Sequence, residues 1–208
     1  MEGGSSGSED LVDVLLGIDV GFRGTGLAVL DIQTDRLLET FSIRPKDNSR
    51  KEKIRKSAND VFRIRQIVEG MKIVLDTWNV RAAFIEFPSG SKSARAAWTM
   101  GLAGGVIIGV LDLRDIVCEY FSPYDVKMAT VGARDASKEA VEKAVRRRWR
   151  DFDGWPKFKA DREHACDAAG ILACAERTSD IYRLLRGKGR DNGKKIKAEA
   201  KAEDSAEK

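Results

Sequence analysis

Three extended apolar stretches follow one another with only short turns between them: Leu11 to Val20, Gly26 to Leu30 and Leu37 to Ile43. The first is closed by Gly21 and separated from the second by the polar Arg23-Gly24-Thr25 turn, so the three predict an antiparallel meander. Ser49 to Trp78 then carries apolar residues at helical spacing, including Ile54, Val61, Ile64, Ile67, Val68, Met71 and Leu75, interleaved with Lys and Arg. Ala82 to Phe87 reads as a fourth strand ended by Pro88, Ser93 to Leu113 as a helix rich in small residues, and Ile116 to Phe121 as a fifth strand. Helices are expected over Ser137 to Trp149 and Glu163 to Arg177. Strands that come first as a meander and then alternate with helices predict an α/β three-layer fold, a mixed sheet covered by helices. No internal repeat is visible.

The chain has 208 residues, 42% of them hydrophobic, which suits one domain with a sizeable core. Residues 1–10 are Gly/Ser-rich and acidic and read as a flexible leader or a cloning remnant outside the fold. Gly187 to Lys208 holds 7 Lys/Arg and 5 Asp/Glu with Ile196 as its only large apolar residue, so residues 187–208 are expected to be a disordered charged tail. That leaves residues 11–186 as the folded domain. Cys118, Cys166 and Cys174 are odd in number and form no C-x-x-C pair, which excludes a disulfide framework and a zinc ribbon and points to a reducing compartment. The longest apolar run, Gly101 to Leu111, is about half of what a membrane span needs. A soluble, intracellular, cytoplasmic protein with no membrane partner is expected.

Two strands are each interrupted by one carboxylate. Asp19 sits in Gly17-Ile18-Asp19-Val20-Gly21 and Glu86 in Phe84-Ile85-Glu86-Phe87-Pro88. Burying a carboxylate costs several kcal/mol unless it is paired or bound to a metal, and one turn-forming Asp explains such an interruption more readily than two strands with the same feature. A third group lies in Glu163-His164-Ala165-Cys166-Asp167, where His164 and Asp167 are three apart and project from one helix face near its expected start. The alternative for Asp167 is a first-turn acid favourable to the helix dipole, and for His164 a core or surface histidine. Together Asp19, Glu86, His164 and Asp167 form an oxygen and imidazole set suited to one or two hard divalent cations that align water with a phosphate.

At these residues the chain resembles the RuvC family of Holliday junction resolvases, within the RNase H-like or retroviral-integrase superfamily. GIDVGFRGTGLAVLD resembles the family's first motif through Asp19, Gly21, Arg23, Thr25 and Gly26. AAFIEFP resembles the second through Glu86, and the small-residue helix KSARAAWTMGLAGGVIIGVL follows it as in the family. HACDAAGILACA resembles the closing motif, with its metal-side positions on His164 and Asp167. YDVKMATVGARDASK resembles a segment bearing two important lysines, here Lys127 and Lys138. The match runs from about Leu15 to Arg177; Phe87-Pro88 and the basic insert around Trp149 to Ala160 depart from the family pattern.

The resemblance implies an RNase H-like fold with a central five-stranded sheet, three antiparallel strands then two parallel. It implies a homodimeric crossover junction endodeoxyribonuclease that resolves four-way branched DNA by paired symmetric nicks, using two Mg²⁺ or Mn²⁺ ions as cofactor and leaving 5′-phosphate and 3′-hydroxyl ends. Asp19 is then expected to bridge the ions, Glu86 and Asp167 to complete their shells, His164 to ligate or to orient water, and Lys127 and Lys138 to hold backbone phosphate. Three other functions compete: a relaxed flap or branched-DNA nuclease of the same fold, a junction-binding protein without catalysis, and an actin-like sugar kinase or ATPase, which needs about twice this length.

Charge is segregated along the chain. Arg44 to Arg65 holds 9 Lys/Arg against 3 Asp/Glu, and Lys143 to Arg162 holds 8 against 3, in a chain that is +4 overall. Such segments form phosphate-binding surfaces or merely solvated helix faces; beside the metal motif the first reading makes Arg23, Arg44, Arg146, Arg147 and Arg150 nucleic-acid contacts alongside Lys127 and Lys138. Trp149, Phe152, Trp155 and Phe158 interleave with the second segment, either to stack on unpaired bases or to form a small satellite core.

Overall fold

The computed structural model describes residues 11–48, 54–87, 90 and 93–187. The expected leader and the charged tail beyond Gly187 lie outside these residues. The elements are β1 (Asp13–Asp19), β2 (Thr25–Asp31), β3 (Leu37–Ile43), α1 (Lys56–Thr77), β4 (Asn79–Glu86), α2 (Ala94–Asp112), β5 (Val117–Phe121), α3 (Pro123–Thr130), α4 (Lys138–Arg148), α5 (Lys159–Thr178) and α6 (Asp180–Leu185).

One sheet orders the strands β3-β2-β1-β4-β5. β1 pairs antiparallel with β2, and β2 with β3, as the short turns dictate. β4 and β5 join the other side in parallel, each reached by a helical crossover. The mixed five-stranded sheet is the one expected.

Side-chain alternation divides the interior in two. Val14, Leu16, Ile18, Leu27, Val29, Ala83 and Ile85 face α1 and α2, where they meet Ile67, Met71, Val74, Ala103, Ile107 and Leu111. Leu15, Ala28, Leu30, Ala82 and Phe84 face the opposite layer, built from α3, α4, α5 and α6. These two cores make the three layers. Apolar residues on both faces are what a central strand covered on each side requires.

Two helices go beyond the sequence reading. α3 starts at Pro123 behind a capping box in which Ser122 Oγ accepts the Asp125 N–H and the Asp125 carboxylate accepts the Ser122 N–H. α6 is a single short helix capped by Ser179. The start of α5 also differs: it begins at Lys159 rather than Glu163. His164 and Asp167 therefore stand in the helix body, and the first-turn, dipole-favoured role considered for Asp167 does not apply.

The aromatic insert divides, three of its rings joining the core and one standing clear of it. Trp149 is buried in the α5-side core, with Phe152 and Trp155 packed against it and edge-on to each other at 5.2 Å between ring centroids. Phe158 stands apart, 78% exposed.

Candidate active site

Asp19 and Glu86 are the last residues of β1 and β4, and parallel pairing sets them directly opposite each other. Each continues the face that carries Leu15 and Gly17 in one strand and Ala82 and Phe84 in the other, so both carboxylates point to the α5 layer at the C-terminal edge of the sheet. α5 crosses that face very closely. A Cβ on Gly17 would lie 2.3 Å from the Ala168 carbonyl oxygen, and one on Gly26 would lie 2.0 Å from that of His164. Only glycine at these two strand positions lets the helix backbone settle onto the sheet, and that contact delivers the third motif to the first.

His164 Nδ1 is 2.8 Å from Asp19 Oδ2. Lys138, the first residue of α4, extends Nζ to within 3.4 Å of Asp167 Oδ2. The β1–β2 turn that frames Asp19 is closed by Thr25 Oγ1 donating to the Gly21 carbonyl at 2.9 Å.

The electrostatics are those of crowded acids. Burial, then the charges of Asp19 and Asp167, push Glu86 from its ordinary 4.5 up to about 7, against the opposing pull of Lys138 and Lys127. Burial and then Asp19 raise Asp167 as well. His164 is raised by its hydrogen bond to Asp19, against the cost of burial. Asp167 raises Lys138. Three motifs distant in sequence and the two lysines thus form one electrostatic unit.

Among the described residues no three His, Cys, Asp or Glu side chains are already closed around a point at ion-binding distance. The donor chemistry nevertheless fits a hard divalent cation: three carboxylates and one imidazole, with Glu86 and Asp167 raised by burial and then by the mutual repulsion that a cation relieves. Asp19, Glu86, Asp167 and His164 are the residues able to hold it.

The proposed DNA contacts divide. Arg23 is exposed in the β1–β2 turn beside His164, in a shared groove. Arg44 pairs with Asp161 at 2.5 Å and remains 47% exposed. Arg146 lies 3.8 Å from Glu142, and Arg147 and Arg150 are exposed at the end of α4, with Arg150 3.8 Å from Asp151. Part of the same basic run is spent inside the fold: Arg148 pairs with Asp35 and Glu176, and Arg162 with Glu142 at 2.9 Å. The sequence reading did not anticipate Asp60 and Arg95, which meet beside the site through both carboxylate oxygens at 2.6 Å. A helix pattern reads Asp60 as a solvated position, and no spacing signal links it to Arg95.

Known proteins share this chain's sequence pattern and its fold. The family model described as crossover junction endodeoxyribonuclease RuvC matches residues 15–174. A protein of that name from Polynucleobacter asymbioticus is 28% identical over 170 residues, covering 82% of this chain and 92% of the relative. Another, from Francisella philomiragia, is 27% identical over 186 residues, covering 88% and 99%. In fold the chain is similar to T. thermophilus RuvC in complex with Holliday junction substrate, with a TM-score of 0.63 at 22% identity over 78% of this chain and 92% of that one. The yeast mitochondrial Holliday junction resolvase Ydc2 matches with a TM-score of 0.54 at 9% identity, over 89% of this chain and 85% of that one. With all three motifs inside the matched span, the chain belongs to the RuvC family of crossover junction endodeoxyribonucleases.

Proposed function

We propose that this protein is a structure-selective DNA endonuclease that resolves four-way junctions by divalent-metal-dependent phosphodiester hydrolysis. The observation that carries the reading is the register pairing of Asp19 with Glu86 at one sheet edge, onto which α5 brings Asp167 and His164. Asp19, Glu86 and Asp167 hold the metal, and His164 ligates it or orients the attacking water. Two Mg²⁺ or Mn²⁺ ions, when bound, supply positive charge to the attacking and leaving oxygens. Lys127 and Lys138 grip the phosphates on either side of the scissile bond, and Lys138 also opposes the upward push that burial and Asp19 exert on Asp167.

The outward face of α2 serves a second copy of the chain. By length and composition α2 can cross a membrane. Its Ala103, Gly104, Ile107 and Leu111 side is instead buried in the domain. Trp98, Gly101, Gly105 and Gly109 remain exposed, and a Cβ on any of these three glycines meets nothing within 4 Å. A helix smooth and apolar on its open side suits close self-association, and two-fold symmetry matches a junction with two equivalent strands to cut. Action on DNA places the protein inside the cell, in the cytoplasm.

The test is cleavage of an end-labelled four-way junction with Mg²⁺ or Mn²⁺, beside linear duplex and flap controls. Paired symmetric nicks confined to the junction, absent from Asp19→Asn and Asp167→Asn, are expected. Equal rates on the flap would favour the relaxed nuclease, and tight binding without cleavage under either metal would favour the non-catalytic protein.

A further inference from the structure

Helix α1 buries three polar side chains. Asn59, Asp60 and Arg63 are 5%, 5% and 9% exposed, although residues of these types stay at the surface unless they are paired. Here they are paired. Both oxygens of Asp60 accept from Arg95 Nη2. Arg63 Nη2 lies 2.8 Å from Asp47 Oδ2, and its guanidinium sits 5.5 Å from the centre of the Phe22 ring. Asn59 donates to Asp47 Oδ1 at 3.1 Å and accepts the Asn48 backbone N–H at 3.1 Å. A packed apolar face would stabilise the fold as well or better, so stability alone does not account for this network. Its effect is to tie the start of α2 and the segment after β3 to α1. Between these and the β1–β2 turn lies a groove of about 590 Å³, lined by Phe22, Arg23, Lys56, Arg63, Arg95 and His164 among others.

We propose that this groove binds the sugar-phosphate backbone of the DNA strand adjoining the scissile phosphate, with Arg95 gripping a phosphate and Asp60 acting as the positioning residue for Arg95. The proposal rests on the nuclease reading above and adds a strand path to it. Continuity is the first support: His164 lines the groove and bonds to Asp19, so a backbone lying in the groove runs into the active centre. Asymmetric burial is the second. The Asp60 side chain is 8% exposed and that of Arg95 44%, so the acid is hidden and the cation presented. Both contacts to Asp60 use Nη2, which leaves the Nε and Nη1 hydrogens of the guanidinium to donate singly to other acceptors such as phosphate oxygens. The lining carries Arg23, Lys56, Arg63 and Arg95 against Asp47 and Asp60, a net positive wall.

The experiment measures binding of a fluorescent four-way junction in Ca²⁺ across a salt series, together with Mg²⁺-dependent cleavage kinetics. The proteins compared are the full chain, Arg95→Ala, Arg95→Lys, Asp60→Asn and, as a charge control on the far part of α1, Lys72→Ala. Arg95→Ala is expected to raise Kd by roughly 5- to 20-fold and to lower the steepness of the log Kd against log salt plot by about 0.9, the signature of one lost phosphate contact. Arg95→Lys keeps the charge without the guanidinium's separate donors to Asp60 and phosphate, and falls between. Asp60→Asn raises KM more than it lowers kcat, which a purely structural role would not produce. Wild-type Kd and salt slope in Arg95→Ala, or an equal loss in Lys72→Ala, would overturn the groove. If Asp60→Asn fails to fold, as read by its thermal melt, the Arg95 variants decide the matter. A wild-type protein that neither binds nor cuts the junction would refute the nuclease reading itself, a result separate from the others.

Discussion

His164 Nδ1 and Asp19 Oδ2 stand 2.8 Å apart although 145 residues separate them in the chain. The contact couples proton binding to the acid cluster. Glu86, raised to about 7, and His164, raised by Asp19, both bind protons more tightly in the folded protein than in the unfolded chain. Folded stability of the metal-free protein therefore falls as pH rises from about 4.5 through 7 for Glu86, and from 6.5 through the raised folded value for His164. With EDTA present, Tm is expected to drop between pH 5 and 8 by the equivalent of about 2 kcal/mol, and Glu86→Gln to flatten the curve. Mg²⁺ should raise Tm more at pH 8 than at pH 5. A curve that rises with pH in EDTA would contradict this account.

Lys138 lies 3.4 Å from Asp167 Oδ2 and, in the proposed function, also meets phosphate. Lys138→Ala should lower single-turnover cleavage by about 10²-fold, with Lys127→Ala costing less because it does not contact Asp167. Lys138→Arg should recover part of the rate. Rapid-quench kinetics on a pre-bound junction would check the order of the three variants.

Gly26→Ala sets a methyl against the His164 carbonyl oxygen, which a Cβ would approach to 2.0 Å. The helix must lift off the sheet. A loss of about 2 kcal/mol or more is expected in urea unfolding, together with loss of cleavage, because the shift moves His164 and Asp167 away from Asp19. A fully active, fully stable variant would show that the helix does not need this close approach.

Gly105 has open space where a Cβ would go. Gly105→Arg should leave the melting temperature within about 2 °C of the parent and yet convert a dimer to a monomer, as read by light scattering after gel filtration. On the junction it should give single nicks in place of paired ones. An unchanged dimer would move self-association to another face.

At the opposite end of the sheet, Asp35 accepts from Tyr182 at 2.8 Å, pairs with Arg148 and lies 3.6 Å from Arg186. Asp35→Ala leaves the buried Tyr182 phenol without its acceptor and removes one of the two carboxylates paired with Arg148 and the one beside Arg186, so chemical denaturation should report a loss of about 2 kcal/mol. Cleavage at low temperature should persist, since these groups are remote from Asp19 and Glu86.

Particular residues explain how much of this was legible in the sequence. The strands were visible because apolar, β-branched runs end at Gly21 and Pro88, and the candidate carboxylates because Asp19 and Glu86 break those runs at one position each. Asp167 was legible as a motif but not as a position in its helix: α5 begins at Lys159 with no side-chain cap, and its polar first turn carries no apolar period. α3 and α6 are only eight and six residues long, too short for a period to declare itself. The burial of Asn59, Asp60 and Arg63 was illegible because pairing inverts the rule that polar residues face solvent. Within the second basic run the pairing of Arg148 and Arg162 with Asp35, Glu176 and Glu142 was illegible too, because no local spacing announces those partners.

The pairing of Asp19 with Glu86 and the arrival of Asp167 from α5 also have a meaning in time. β1 pairs in parallel with a strand some sixty residues further on, and α5 must fold back across both before the acids meet. Such long-range closure comes late in folding, because loop entropy must be overcome before the contacts are gained. A chain still emerging from the ribosome carries Asp19 from the start, yet it has no cutting centre until its last large helix docks. The topology thus withholds the candidate site until the whole domain is complete.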